Sequence, residues 1–152
     1  MWQRIQTVFL LIAILSLIGS IFLPIWIYES GEKTYELYAL HYSITENGVK
    51  STLYVPYALT AVLLMASMML TVIEIGKYKN RMLQIKLGAL NSLFLAGGLG
   101  AAVYFGNTFL NERGGSYSLG LWLPAVAVLC NWLAMRFIRR DERIVRDSDR
   151  LR

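Results

Sequence analysis

Four runs of about twenty residues each are apolar almost without a break, at about 8–27, 54–75, 85–105 and 117–137. That is the length an α-helix needs to cross a hydrocarbon core of about 30 Å. The pattern predicts one all-α membrane domain over 1–152, a four-transmembrane-helix bundle. Between the first two runs the period changes. Tyr38, Leu40, Tyr42 and Ile44 alternate with Ala39, His41, Ser43 and Thr45, as in a strand. Asn47-Gly48 then supplies the two positive φ angles of a type I′ turn. An ideal turn of this kind pairs Glu46 with Val49, Ile44 with Ser51 and Tyr42 with Leu53. The outer loop 28–53 is therefore expected to hold a small extracytoplasmic β-hairpin between helices 1 and 2. A lone hairpin is marginal in water, so it is expected either to pack on the outer ends of the helices or to gain a further strand from Ile25 to Ser30.

The third run is rich in small residues. Gly88, Ser92, Ala96 and Gly100 recur every fourth position, with Gly98, Ala102 and Gly106 beside them. Small residues let helix backbones approach closely in lipid, which makes this the expected central helix. After the fourth run, Phe137, Ile144 and Leu151 repeat every seventh residue with Ile138 and Val145 alongside. Residues 138–152 are thus expected to continue as a C-terminal amphipathic cytoplasmic helix. It rests either on anionic head groups and the protein's own inner loop or on a partner.

Charge fixes the expected sidedness. Twelve of the fifteen cations flank the ends assigned to the cytoplasm, at Arg4, in the basic loop 76–84 with nearby Lys86, and from Arg136 to Arg152. Lys33, Lys50 and Arg113 are the three on the other side. The positive-inside bias then places both termini in the cytoplasm. It also explains the net charge of +5 better than nucleic acid does, so no nucleic-acid partner is expected. The hydrophobic share of 56% and mean hydropathy of +0.47 agree with a membrane chain. The charged start and apolar middle of the first run also fit a signal peptide. Its length, and the exit Phe22-Leu23-Pro24-Ile25-Trp26 without a small-x-small site, favour an uncleaved span. Cys130 and His41 are the only residues of their kinds, so neither a disulfide within the chain nor a His/Cys metal set is expected, and no cofactor is implied.

Gln6, Glu74, Asn91 and Asn131 are polar positions in or near the inner halves of the spans. Ionisable residues at such depth are expensive and invite a functional reading. Glu74 could face the bundle, meet Asn91 and Asn131, and hold a proton or cation. It could also snorkel to water beside Lys77, with the asparagines serving as interhelical hydrogen-bond glue. Lys77, Lys79, Arg81, Arg139, Arg140, Arg143, Arg146 and Arg150 are candidate contacts to anionic head groups or to a protein partner, a homo-oligomer included. No nucleophile–base pair, phosphate loop or paired catalytic acids appear, so an enzyme is not expected.

Three stretches carry a family likeness: Gln3-Arg4-Ile5-Gln6-Thr7-Val8, Tyr78 to Lys86 with Leu90-Asn91, and Asp141-Glu142 through Asp149-Arg150-Leu151-Arg152. Together they resemble the uncharacterised four-span membrane proteins of diderm bacteria grouped as domain of unknown function 4293. The chain departs from that pattern at Asp147-Ser148, which adds an acid to the tail. The resemblance implies a multi-pass protein of the bacterial inner membrane and brings no established activity with it. The expected function is a non-enzymatic accessory or scaffold subunit of an envelope complex. A small ion-coupled carrier using Glu74 is the alternative, and a lipid-modifying enzyme the third.

Overall fold

Inside a bilayer there is no water to satisfy peptide groups, so an apolar run must bond within itself as a helix. The computed structural model describes residues 3–31, 33–78 and 80–150, with backbone alone at 3, 4 and 147–150. In it, four helices form: α1 (Gln3–Phe22), α2 (Ala58–Gly76), α3 (Arg81–Arg113) and α4 (Leu119–Arg150). Each contains a stretch long and apolar enough to cross a membrane. Four candidate spans point to a multi-pass membrane protein. Burial supports this, because it is inverted relative to a water-soluble bundle. Leu15, Phe22, Met69 and Leu93 face outward at 68%, 74%, 68% and 70% exposure. Ser20, Ala61, Ser67, Thr71, Ala102 and Ala127 are fully buried. Lipid accepts large side chains, while small ones let the helices close on one another.

Helix length decides what lies beyond the spans. With 20 and 19 residues, α1 and α2 measure about 30 Å and match the hydrocarbon core. At 33 and 32 residues, α3 and α4 approach 50 Å and must overshoot it. The fourth helix does so at the basic end, continuing without a break through the amphipathic tail. The third does so at the opposite end. Residues 107–113, expected as loop, remain helical because Phe109 finds an apolar underside to pack on.

That underside is a five-stranded antiparallel sheet, larger than the expected hairpin. Its strands are β1 (Trp26–Ser30), β2 (Lys33–Leu37), β3 (Tyr42–Glu46), β4 (Val49–Leu53) and β5 (Ser116–Tyr117), in spatial order β4-β3-β2-β1-β5. The hairpin register is the one expected, with Glu46 opposite Val49, Ile44 opposite Ser51 and Tyr42 opposite Leu53. Asn47 and Gly48 hold the positive φ angles, 49° and 80°. The strand at 25–30 is also present as β1, so the first span ends at Phe22 rather than Ile27. The apparent alternation from Tyr38 misled in one respect. Residues 38–41 form a turn closed by the Tyr38 N–H donating to the His41 carbonyl at 2.8 Å. The chain before that turn is a separate strand, β2, whose mixed pattern Lys33-Thr34-Tyr35-Glu36-Leu37 shows no clean alternation. The fourth helix starts at Leu119 because Ser116 and Tyr117 are taken into the sheet beside Ile27 and Trp26.

Phe109 joins the sheet to the bundle. Its ring stacks on Tyr42 at 4.6 Å and on Trp26 at 5.3 Å between centroids, and tilts against Tyr57 at 5.7 Å. The Trp26 indole N–H donates to the Gly114 carbonyl at 3.0 Å, which pins the α3–β5 loop. Gly115 follows at φ 90°, and a side chain there would strike the Ile27 carbonyl.

Pro124 lies inside α4 and cannot donate to the Gly120 carbonyl one turn earlier. The buried Ser20 hydroxyl of α1 donates to that carbonyl instead, at 2.8 Å. A side chain at Gly120 would collide with the Leu23 and Pro24 carbonyls, so α4 meets the chain just past α1 backbone to backbone. Ser20→Ala should therefore cost roughly 1–2 kcal/mol in an otherwise wild-type chain. It should cost much less in Pro124→Ala, where the helix supplies its own donor; a double-mutant cycle of thermal unfolding in detergent measures the coupling.

On the sheet, His41 stacks on Tyr38 at 4.9 Å, with Nδ1 buried and unbonded. Burial, and then nearby Lys50, push its pKa below the ordinary 6.5, against a smaller opposing pull from Glu36. The neutral ring is thus the form that fits. Its contribution to sheet stability is complete above about pH 6.5 and is lost as pH falls through the lowered value. Amide protection in β2 and β3, corrected for intrinsic exchange, should fall on acidification, and His41→Phe should remove that dependence.

Candidate functional site

The buried polar side chains gather where α2, α3 and α4 meet, in the half of the bundle away from the sheet. Ser67, Thr71 and Glu74 follow one another at four and three residues along α2, so they share one face. Asn91 of α3 lies opposite. Its carbonyl accepts from the Ser67 hydroxyl at 2.6 Å, and its amide donates to Thr71 Oγ1 at 2.9 Å and to Asn131 Oδ1 at 3.2 Å. Asn131 of α4 passes the chain on, donating to Ser92 Oγ at 2.9 Å and to the Gly88 carbonyl at 3.2 Å. Asn91 and Asn131 are essentially inaccessible, at 0% and 1% exposure. In the absence of water each bond fixes the rotation of a helix about its axis.

Glu74 lies one step from this relay and outside it. The residue is fully buried, and neither carboxyl oxygen has a hydrogen-bond partner. A Cβ at Gly88 would stand 3.0 Å from Oε1 and 2.8 Å from Met135 Cγ, so glycine is what admits the carboxyl between α3 and α4. Gln84 contacts the Glu74 main chain only, donating to its carbonyl at 2.9 Å. Gln6 belongs elsewhere. Its amide donates to Asp141 at 2.9 Å across the α1–α4 contact, below the stacked rings of Phe9 and Phe137. Of the four expected members, Asn91 and Asn131 bond directly, Glu74 adjoins them, and Gln6 is separate. Ser67, Thr71 and Gln84 are the further buried polar residues of this half of the bundle; the one-face spacing of Ser67, Thr71 and Glu74 in an apolar run was the signal available for the first two.

The small-residue stripe divides similarly. Gly88 is buried against Met135, whereas Ser92, Ala96 and Gly100 are exposed. A strict four-residue repeat drifts about 40° per step around a helix of 3.6 residues per turn. The face that packs is Gly88, Asn91, Leu95, Gly98, Ala102 and Gly106, in steps of three and four. A Cβ at Gly98 would come within 2.7 Å of Leu64, while at Gly100 it would meet open space.

The basic end has two parts. Arg81 Nη1 donates to the Asp141 carbonyl at 2.9 Å, so together with Gln6 it holds the start of the tail to the bundle. Beside this latch a groove of about 710 Å³ runs between α3 and α4. Ala89, Ser92, Trp132 and Met135 form its apolar half, and Arg136, Arg139, Arg140 and Arg143 its basic half. Lys77, Lys86 and Arg146 are exposed outside it. Lys79 and the Arg150 side chain lie outside the described residues.

A family model described as a domain of unknown function (DUF4293) matches residues 2–151. The chain belongs to this family. The match agrees with the likeness read from 3–8, 78–91 and 141–152, and it spans the polar relay, the sheet and the groove together. No curated protein matches the chain. Among the described residues no three His, Cys, Asp or Glu side chains come together as a metal-ligand set.

If the relay orients the helices, Asn91→Leu should destabilise the bundle by about 1–2 kcal/mol, within the range for interhelical hydrogen bonds in membranes. Gln6→Leu, at a part-buried contact with the tail, should cost less. Reversible unfolding in mixed micelles compares the two.

Proposed function

We propose that this DUF4293 protein is a non-enzymatic accessory or scaffold subunit of a bacterial envelope complex. In this reading it lies in the inner membrane with both termini cytoplasmic and the sheet outside. The observation that carries it is the free edge of the sheet. All five residues of β4 are exposed, and β4 borders a single neighbour. Val49 and Leu53 on the strand, with Tyr54 and Val55 after it, are exposed at 71%, 58%, 53% and 84%. An unpaired strand edge beside exposed apolar residues is a template for an added strand. The occupant proposed is an extended segment of another envelope protein. Sidedness is supported by the charge distribution, with the arginine-rich end opposite the sheet.

A photoreactive residue at Ser51 should capture one protein in stoichiometric yield in native membranes, whereas the same group at Lys33, away from the edge, should not. Capture of nothing, or of a second copy of this chain, would remove the accessory reading. Reporter fusions at Gly48 and at the carboxyl end should report opposite compartments.

A carrier is the second reading, favoured by the two unbonded oxygens of Glu74. It expects pH-dependent flux in proteoliposomes that Glu74→Gln abolishes. No flux with the wild-type protein removes it.

A further inference from the structure

Along α4, Trp132, Met135, Arg136, Arg139, Arg140 and Arg143 follow at three- and four-residue steps and form one stripe. The stripe changes chemistry partway: an indole and a thioether come first, then four guanidinium groups within about 10 Å of helix rise. Arg136 marks the change, lying 5.6 Å over the Trp132 ring. Among the described side chains no acid lines the groove, and Asp141 is engaged with Gln6 and faces α1. Opposite, α3 presents Ala89 and Ser92, and its exposed small residues Ala96 and Gly100 lie farther along the same side of the helix. These are the small residues that helix packing leaves unused.

We propose that this groove binds one anionic phospholipid from the leaflet at the basic end. The headgroup phosphate sits on Arg139 and Arg143, and an acyl chain lies along Ala89, Ser92 and Ala96 with Trp132 as its other wall. Three physical reasons select this occupant. Guanidinium groups match phosphate oxygens in paired, charge-assisted bonds. Basic pockets between helices at that membrane depth suit acidic head groups. The groove itself is amphiphilic along the helix axis, as a phospholipid is along its length, which a soluble anion or a peptide would not need. Arg136, Arg139 and Arg143 carry more charge than one phosphate neutralises, so a two-phosphate lipid should bind more tightly than a one-phosphate lipid. The inference needs no partner on β4 and stands apart from the accessory role.

Native mass spectrometry of the full-length protein tests this with cardiolipin, phosphatidylglycerol and phosphatidylcholine at equal concentration. Retention should fall in that order. Arg139→Gln with Arg143→Gln should lower phosphatidylglycerol retention roughly thirtyfold, for two lost surface cations. Ala89→Trp should block retention with every arginine in place, which separates a seated lipid from a charged surface. Inorganic phosphate at millimolar concentration should not compete. On the wild-type chain, a photoreactive acyl chain on phosphatidylglycerol should label 89–96 or Trp132, which requires no variant to fold. Equal retention of phosphatidylcholine, indifference to Ala89→Trp in folded protein, or labelling spread over the bundle would each overturn the proposal.

Discussion

With no water in the middle of a bilayer, each polar group carried inward must be answered by another group of the same chain. Asn91 meets this demand for three helices at once. Both of its amide hydrogens and its carbonyl are engaged, by Thr71, Asn131 and Ser67. Turning any of these helices by one residue, about 100°, would carry a polar group toward lipid. Apolar side chains cannot enforce such a setting, because lipid and bundle interior are equally comfortable for them. The same rule works at Ser20, whose hydroxyl answers the Gly120 carbonyl that Pro124 leaves free. Polar and small groups therefore orient the bundle; large apolar ones serve on either side, Leu10, Leu17, Leu64 and Leu95 between helices and Leu15, Phe22, Met69 and Leu93 facing outward.

Where the bilayer ends, the balance of forces changes. The sheet stands where water is available, and burial of aromatic surface becomes the effective drive. Phe109 concentrates that burial, since Trp26, Tyr42 and Tyr57 all pack on its ring. One helix, α3, thus carries the relay in the membrane and the anchor of the sheet beyond it. This is the reason for its length: it must reach both environments.

The opposite end of the molecule is organised by charge. Arg81 and Gln6 both hold Asp141, which keeps the tail in line with the bundle and commits the opposite side of α4 to the groove. Guanidinium groups gather on that face because the helix period places them there. Sheet and groove are thus chemically unlike surfaces separated by a bundle whose interior is tied by the Asn91–Asn131 relay, with Glu74 alone among the described members of the site left without a side-chain hydrogen bond. That separation suits a protein that presents contacts on both sides of a membrane.

Much of this architecture was legible along the chain. Runs of about twenty apolar residues specify spans whatever their neighbours, because hydrocarbon thickness is set by lipid. Asn47-Gly48 specified the hairpin register because few residue pairs accept two positive φ angles. With Leu151 and Arg152 outside the described residues, the helical continuation of the tail was legible as far as Arg150. The strand β2, the helical continuation past Phe105 and the pairing of Ser116-Tyr117 were not, because each depends on a surface supplied by another element. The two small-residue stripes show the limit most clearly: Gly98, Ala102 and Gly106 are buried, while Ser92, Ala96 and Gly100 are not, because the face that packs steps by three and four. Local sequence determined which segments cross and how they turn. Tertiary structure alone decided which faces meet, and so joined Asn91 to Asn131, sent Gln6 to Asp141, and left Glu74 buried without a hydrogen bond.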